Sequence, residues 1–67
     1  MSLKRYNVDL RKLSLNEREK VYDILEKQSF ITTIDFKNIG VYEVFWNSST
    51  PIEESITFPS ESIITQI

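Results

Sequence analysis

Hydrophobic and polar residues alternate at the beginning of the chain. In the segment 4–10, Tyr6, Val8 and Leu10 fall on one face, whereas Asn7 and Asp9 fall on the other. A period of two over this length is typical of a β-strand that is buried on one side only. The pattern therefore predicts a half-buried strand from Lys4 to Leu10.

The apolar positions that follow recur every three or four residues, which is the period of an amphipathic helix. Ser14 is followed three residues later by Glu17, and this pair matches a capping box, a helix-start signature worth about 1 kcal/mol. The apolar stripe consists of Leu15, Val21, Tyr22, Ile24, Leu25 and Phe30. We therefore predict a helix of about 14 residues, roughly 21 Å long, that ends near Gln28–Ser29.

Two alternating segments on either side of the only glycine predict a β-hairpin from Phe30 to Asn47. Gly40 occupies the third loop position, as in a type I turn followed by a left-handed glycine. That turn sets Lys37 opposite Val41 and brings three further pairs onto one nearly apolar face. These pairs are Phe36 opposite Tyr42, Ile34 opposite Val44, and Thr32 opposite Trp46. A slip of one residue would put polar residues there, so we expect this register and a helix packed on this face.

The opposite face of the predicted hairpin carries two facing acids. The same register sets Ile31 opposite Asn47, Thr33 opposite Phe45, and Asp35 opposite Glu43. Directly opposed like charges cost about 0.2–1 kcal/mol, and folding alone gives no reason for them. We therefore take Ile31, Asp35, Glu43 and Phe45 as the candidate partner-binding residues.

The residues after the hairpin form a C-terminal extension. The composition of residues 47–51 indicates a loop, and Ser55 to Phe58 predicts a short fourth strand stopped by Pro59. The fold class that follows is α+β. We predict a single domain with a β-α-β-β core in residues 1–50, in which one helix packs on a small, mainly antiparallel sheet, and an extension in residues 51–67.

Composition is that of an ordinary small globular domain. Of its residues, 40% are hydrophobic and 27% charged. The length of 67 residues is near the lower limit at which a chain folds without disulfides, bound metals or self-association. No apolar run is long enough for a membrane helix and no signal-peptide pattern is present, so we expect a cytoplasmic protein without a membrane partner. All eight basic residues lie at or before Lys37, which leaves an acidic second half that would repel phosphate.

The residue types exclude most catalytic chemistry. The chain has no histidine and no cysteine, so the common nucleophile–base pairs and zinc–thiolate sites are excluded. Asp35 and Glu43 could act as an acid/base pair or bind a hard cation only with further oxygen ligands or an enclosing cleft. We therefore expect no enzymatic activity, no catalytic residues, no metal site and no cofactor.

Nucleic-acid binding through an aromatic sheet is one alternative. The predicted order of strand, helix, strand and strand matches the first part of an RNA-recognition domain, and the segment from Gly40 to Trp46 has the aromatic rhythm of its third strand. However, Ile39 replaces the basic residue of that motif. Tyr42 and Trp46 also lie on the face assigned to the helix, so burial in the core is the preferred interpretation.

Protein binding through the outer face of the sheet is a further candidate. Apolar side chains beside Asp35 and Glu43 form the kind of mixed patch that docks on a basic partner surface. The competing interpretation, which is slightly preferred for this patch, is that the apolar tail, Ile63 to Ile67, covers it. If the tail covers the patch of a second copy, the result would be a homodimer.

The first half of the chain resembles small accessory proteins encoded by tailed bacteriophages. The resemblance is carried by Tyr6-Asn7-Val8-Asp9-Leu10, Leu13-Ser14, Glu17, Ile24-Leu25 and Phe30. It implies a stoichiometric effector that binds and blocks a host enzyme, polymerase or defence factor in the host cytoplasm. The matching positions are scaffold positions, so the resemblance implies no particular binding residues. We therefore expect a small non-enzymatic inhibitor that occludes a protein partner, with a nucleic-acid module or a structural homodimer as alternatives.

Overall fold

Within residues 3–67, four strands and two helices form a small α+β fold. The structure is a computed structural model that describes residues 3–67. Its elements, in chain order, are β1 (Leu3–Asp9), α1 (Leu15–Glu26), β2 (Ile31–Asn38), β3 (Val41–Asn47), α2 (Ile52–Ser55) and β4 (Ile63–Gln66). The sheet has the order β2-β3-β1-β4, and every neighbouring pair is antiparallel. The predicted α+β class is confirmed, and the element order is that of a split βαβ arrangement.

Helix α1 begins where the sequence predicts. Ser14 is the N-cap, its hydroxyl accepts from the backbone N–H of Glu17, and the Glu17 side chain completes the capping box. Val21 and Leu25 are the buried residues of the helix, so they anchor it to the sheet. The helix ends two residues earlier than predicted, at Glu26. Phe30 lies outside it and packs edge-on against Trp46, with the ring centroids 5.6 Å apart.

The predicted hairpin register is correct in the centre and wrong at both ends. Thr33 lies opposite Phe45 and Phe36 opposite Tyr42, as expected. At the turn, Asn38 rather than Lys37 lies opposite Val41, because the pairing shifts between Phe36 and Asn38. Gly40 has the left-handed conformation that the turn requires, with φ 75°.

A second irregularity, between Ile31 and Thr33, changes the start of the hairpin. Ile31 lies opposite Trp46, which is the position predicted for Thr32, and the predicted Ile31–Asn47 pair does not form. A bulge adds a residue to one strand, so side chains beyond it change faces relative to a regular ladder. Ile31 consequently packs against the hydrophobic core, not on the outer face.

The core lies between α1, α2 and one face of the sheet. Tyr6 and Val8 of β1 face Val44 and Tyr42 of β3 on this covered side. Trp46 is fully buried, and its indole Nε1–H donates to the carbonyl of Thr50 at 2.6 Å. Short helix α2 completes the core with Ile52, which is also buried.

The C-terminal extension adds its strand later than predicted. Residues 52–55 are helical and Ser55 to Phe58 form no strand, so the strand predicted there is wrong. The fourth strand is β4, which pairs with β1 and sets Ile64 opposite Val8. The backbone N–H of Ile67 donates to the carbonyl of Arg5 at 2.8 Å. The tail therefore extends the sheet at its edge, because β1 offers free backbone groups there, and it does not cover the outer face.

Candidate functional site

The outer face of the sheet brings together three of the four predicted partner-binding residues. Asp35 lies opposite Glu43, and Phe45 lies opposite Thr33, on the face of the sheet that neither α1 nor α2 covers. Ile31 is separated from them because the bulge turns it toward the core. The predicted four-residue contact face is therefore wrong in its inclusion of Ile31.

Glu43 has a structural explanation that the sequence did not reveal. Its strand lies between β2 and β1, and each neighbour contributes a cation to it. The carboxylate oxygens lie 3.2 Å from Lys37 Nζ and 3.5 Å from Arg5 Nη1. Glu43 is only 6% exposed, so the two cations cover as well as compensate it. The charge of Glu43 is thus balanced within the fold, and the like-charge pair no longer requires a partner to explain it.

The outer face also lacks the stacking surface of an RNA-recognition sheet. When Gly40 is aligned with the glycine of that motif, Val41 and Glu43 occupy its first two aromatic positions. Trp46 occupies the last one and is fully buried on the other face. Bases stack on exposed aromatic rings, and the half-buried Phe45 is the aromatic residue of β3 on this face.

A different surface exposes large apolar side chains. Between α1 and the β2–β3 turn lies a groove of about 400 Å³, here called the apolar groove. Its apolar side chains are Leu15, Tyr22, Phe36, Ile39 and Tyr42. Leu15 and Ile39 are each 71% exposed and Phe36 is 67% exposed, which is unusual for large apolar residues this close together. The rings of Tyr22 and Tyr42 lie 5.3 Å apart at its floor.

The position of α1 keeps this groove open. Arg18 donates from Nε to the carbonyl of Leu10 at 3.0 Å and from Nη2 to that of Arg11 at 2.8 Å. These bonds hold the first half of the helix against the loop after β1. The turn is held separately, because the carbonyl of Gly40 accepts from the backbone N–H of Leu10 at 2.7 Å. Helix and turn are thus fixed to the same loop and leave the apolar groove between them.

A second groove continues along the same strand. It has a volume of about 280 Å³ and lies between the second half of α1 and the beginning of β2. We call it the polar groove, and it is lined by Tyr22, Leu25, Glu26, Ile31, Thr32, Thr33 and Ile34. Tyr22 borders both grooves, so together they follow β2 from Ile31 to the turn.

The helix wall of the two grooves is acidic. Glu19 and Asp23 line the apolar groove and Glu26 lines the polar groove. Arg18 is the cation among the lining residues, and its guanidinium already binds backbone carbonyls. Asp23 pairs with Lys27 at 3.1 Å, but both side chains are largely exposed, so solvent screens that pair. The wall therefore favours a positively charged occupant.

The predicted register placed Phe36 and Tyr42 under the helix, and the apolar groove was not predicted. Two signals were available. Residues in a tight turn or at the first position of a helix are ordinarily exposed. Ile39 and Leu15 occupy such positions, and both are apolar. What the sequence could not show is that the turn brings Ile39 and Phe36 next to Leu15.

The fold and grooves define a small α+β domain with an open apolar surface along one sheet edge. Comparison with known proteins found no matching family model, curated protein or solved structure. Within residues 3–67, no cluster of three or more carboxylates could hold a metal ion. No helix in that range is long and apolar enough to cross a membrane.

Proposed function

We propose that this chain is a small non-enzymatic binding protein that occludes a protein partner through the apolar groove. The observation that carries the proposal is the exposure of Leu15, Phe36 and Ile39 around one concave surface. Contiguous exposed apolar side chains with a polar rim are typical of protein interaction sites. The protein acts in the cytoplasm in this proposal.

The energetic scale of the groove fits this role. Complete burial of a large apolar side chain contributes about 1.5–3 kcal/mol, and these three are about 70% exposed, so together they would contribute about 3–6 kcal/mol. Association costs at least about 4 kcal/mol in lost translational and rotational freedom. The groove by itself therefore supports at most a weak complex, and a tight one requires further contacts beside it.

The resemblance of residues 6–30 to phage accessory proteins supports the choice of partner. If the chain acts as such an accessory protein, its partner is a host enzyme, polymerase or defence factor, which the chain inhibits by occupying its surface. The scaffold resembles those proteins, whereas the groove uses the hairpin that follows. A role as an RNA-recognition module is less well supported, because Val41 and the acid Glu43 occupy its stacking positions on the outer face.

The test compares which bacterial proteins each variant captures. The groove variant carries Phe36→Ser and Ile39→Ser, and its matched control carries Leu3→Ser and Ile63→Ser. All four residues are exposed, so each variant loses two exposed apolar side chains and should keep the circular-dichroism spectrum of the wild type. We expect the control to retain the partner captured by the wild type, and the groove variant to lose it.

A third variant, Asp35→Lys, tests the original prediction that the outer face makes the contact. Asp35 is used alone because changing the buried Glu43 would disturb the fold. If Asp35→Lys abolishes capture and the groove variant does not, the outer face is the interface and the groove proposal is wrong. Salt-sensitive capture of single-stranded RNA or DNA by the wild type would instead support the nucleic-acid alternative.

A further inference from the structure

We propose that the partner contributes an extended, basic segment that joins the sheet as a fifth strand beside β2. This inference rests on the proposed function and adds the conformation and charge of the bound segment. The apolar side chains of that segment would fill the two grooves, and its lysines or arginines would face the acidic wall of α1.

The first observation is the position of β2. This strand has eight residues, Ile31–Asn38, and lies at the edge of the sheet with β3 as its sheet neighbour. The N–H of Ile31 donates to the carbonyl of Gln28 at 3.3 Å, whereas the other backbone groups on this side have no partner strand within residues 3–67 and can pair with an added strand. An edge strand beside a groove can bind an extended peptide, because main-chain hydrogen bonds supply affinity and pockets select alternate side chains.

The second observation is that the grooves lie where alternate side chains of an added strand would point. Both grooves are on the helix side of β2, the apolar one near Phe36 and the polar one near Ile34 and Thr32. Residues two apart on a strand share a face and are about 6.8 Å apart. Neighbouring same-face residues of an added strand would therefore reach the two grooves in succession.

The third observation sets the charge of the segment. Glu19, Asp23 and Glu26 are distributed along the wall that faces the added strand. On the other side of the sheet, Asp35 forms no ion pair within residues 3–67, so its carboxylate is open to a cation. Acids on both sides of the edge favour basic residues on both faces of the segment.

The probe is a synthetic peptide, Lys-Val-Lys-Phe-Lys-Lys-Lys, titrated into the isotope-labelled full chain. Its valine, its phenylalanine and its sixth residue, a lysine, share one face, so that face carries two apolar side chains for the grooves and a lysine for the acidic wall. The other lysines share the opposite face. We expect saturable changes in the amide resonances of 31–38 and of Tyr22, whereas those of β4, at the opposite edge, stay constant. Phe36→Ser should weaken binding about tenfold, and the Leu3→Ser, Ile63→Ser control should leave it unchanged.

Two kinds of modified peptide separate strand addition from simple apolar docking. Replacing every lysine with glutamate keeps the two apolar positions and reverses the charge on both faces, and we expect binding to weaken at least about tenfold. Two further peptides carry one N-methyl group each, at the phenylalanine or at the lysine before it. In an added strand these neighbouring amides point to opposite sides, so one methyl group should abolish binding and the other should not.

Equal binding of both N-methylated peptides would overturn strand addition, and equal binding of the acidic peptide would overturn the charge assignment. Failure of every peptide, while the groove variant still loses its partner, would overturn this inference and leave the proposed function intact. If the free protein dimerises through β2, shown by concentration-dependent changes in the resonances of 31–38, the occupant is a second copy and the inference is wrong.

Discussion

Replacement of Glu43 by glutamine tests how the fold tolerates a buried acid opposite another acid. The substitution keeps the shape of the side chain and removes its charge. The substitution breaks the ion pairs with Lys37 at 3.2 Å and Arg5 at 3.5 Å. It also removes the repulsion between position 43 and Asp35. The sign of the stability change shows which effect is larger.

The structure indicates that the lost pairs outweigh the relief. The side chains of Arg5 and Lys37 are 50% and 52% exposed, so each pair is screened and worth about 0.2–1 kcal/mol. Removing the repulsion from Asp35 stabilises the variant by about the value of one such pair. The glutamine also places amide donors beside two cations in a buried site, which costs roughly a further 1 kcal/mol. We expect Glu43→Gln to lower the free energy of unfolding by about 1–2 kcal/mol, and Tm by about 4–8 °C for each kcal/mol lost.

Urea denaturation measures this change directly. Trp46 is the only tryptophan and is fully buried, so its fluorescence follows global unfolding. We expect an unchanged m-value, which would show that the midpoint shift reports stability. The matched variant is Asp35→Asn, which should be neutral or slightly stabilising because it removes repulsion without breaking an ion pair. Asp35→Asn should have no effect when it is combined with Glu43→Gln, because that substitution already removes the repulsion. If Glu43→Gln is as stable as the wild type or more so, repulsion dominates and our account of this face is wrong.

Three further predictions concern local features. Gly40→Ala should destabilise the protein by about 1–2 kcal/mol in the same urea assay, because φ is 75° there and a Cβ would lie 3.2 Å from Cγ of Arg11; an unchanged midpoint would contradict the left-handed turn. Ser14→Ala should cost about 1 kcal/mol by removing the capping hydroxyl, whereas Ser14→Asp should cost less, and equal losses would exclude capping as the cause. The guanidinium of Arg11 hydrogen-bonds the carboxylate of Asp9 and lowers its pKa below the usual range, so Arg11→Gln should raise that pKa in a carboxyl NMR titration. The stabilising contribution of ionised Asp9 is present above its unfolded pKa and is lost as pH falls through the lowered folded value. The free energy of unfolding of Arg11→Gln should therefore be below that of the wild type above this pH range, and the two values should converge in stronger acid.

Local patterns in the sequence predicted most of the scaffold. The alternation through Tyr6 and Val8 identified β1, and Ser14 with Glu17 identified the start of α1. The centre of the hairpin register followed from the position of Gly40 and the need to keep one face apolar. These features depend on residues close together in the chain, where helical and strand periodicities act directly. The same patterns failed for the fourth strand, because pairing with β1 decides where it forms.

The candidate site was less accessible to sequence reasoning. The predicted contact face rested on a like-charge pair, but Arg5, thirty-eight residues before Glu43 in the numbering, contributes half of the compensation. Phe36 and Tyr42 have the alternation of core residues and would be buried if α1 covered the whole hairpin. The bonds from Arg18 to the loop after β1 place the helix elsewhere, and no local pattern encodes that placement.

The sequence by itself determined the types of the main elements, the helix cap and the central register of the hairpin, because each follows from side-chain period and backbone preference over a few residues. Tertiary structure alone decided which apolar residues stay exposed. The bulge that turns Ile31 inward, the strand that the tail adds to β1 and the gap between α1 and the turn all arise from contacts between distant segments. The apolar groove exists because those contacts hold α1 and the turn apart, which leaves Leu15, Phe36 and Ile39 exposed beside an open sheet edge.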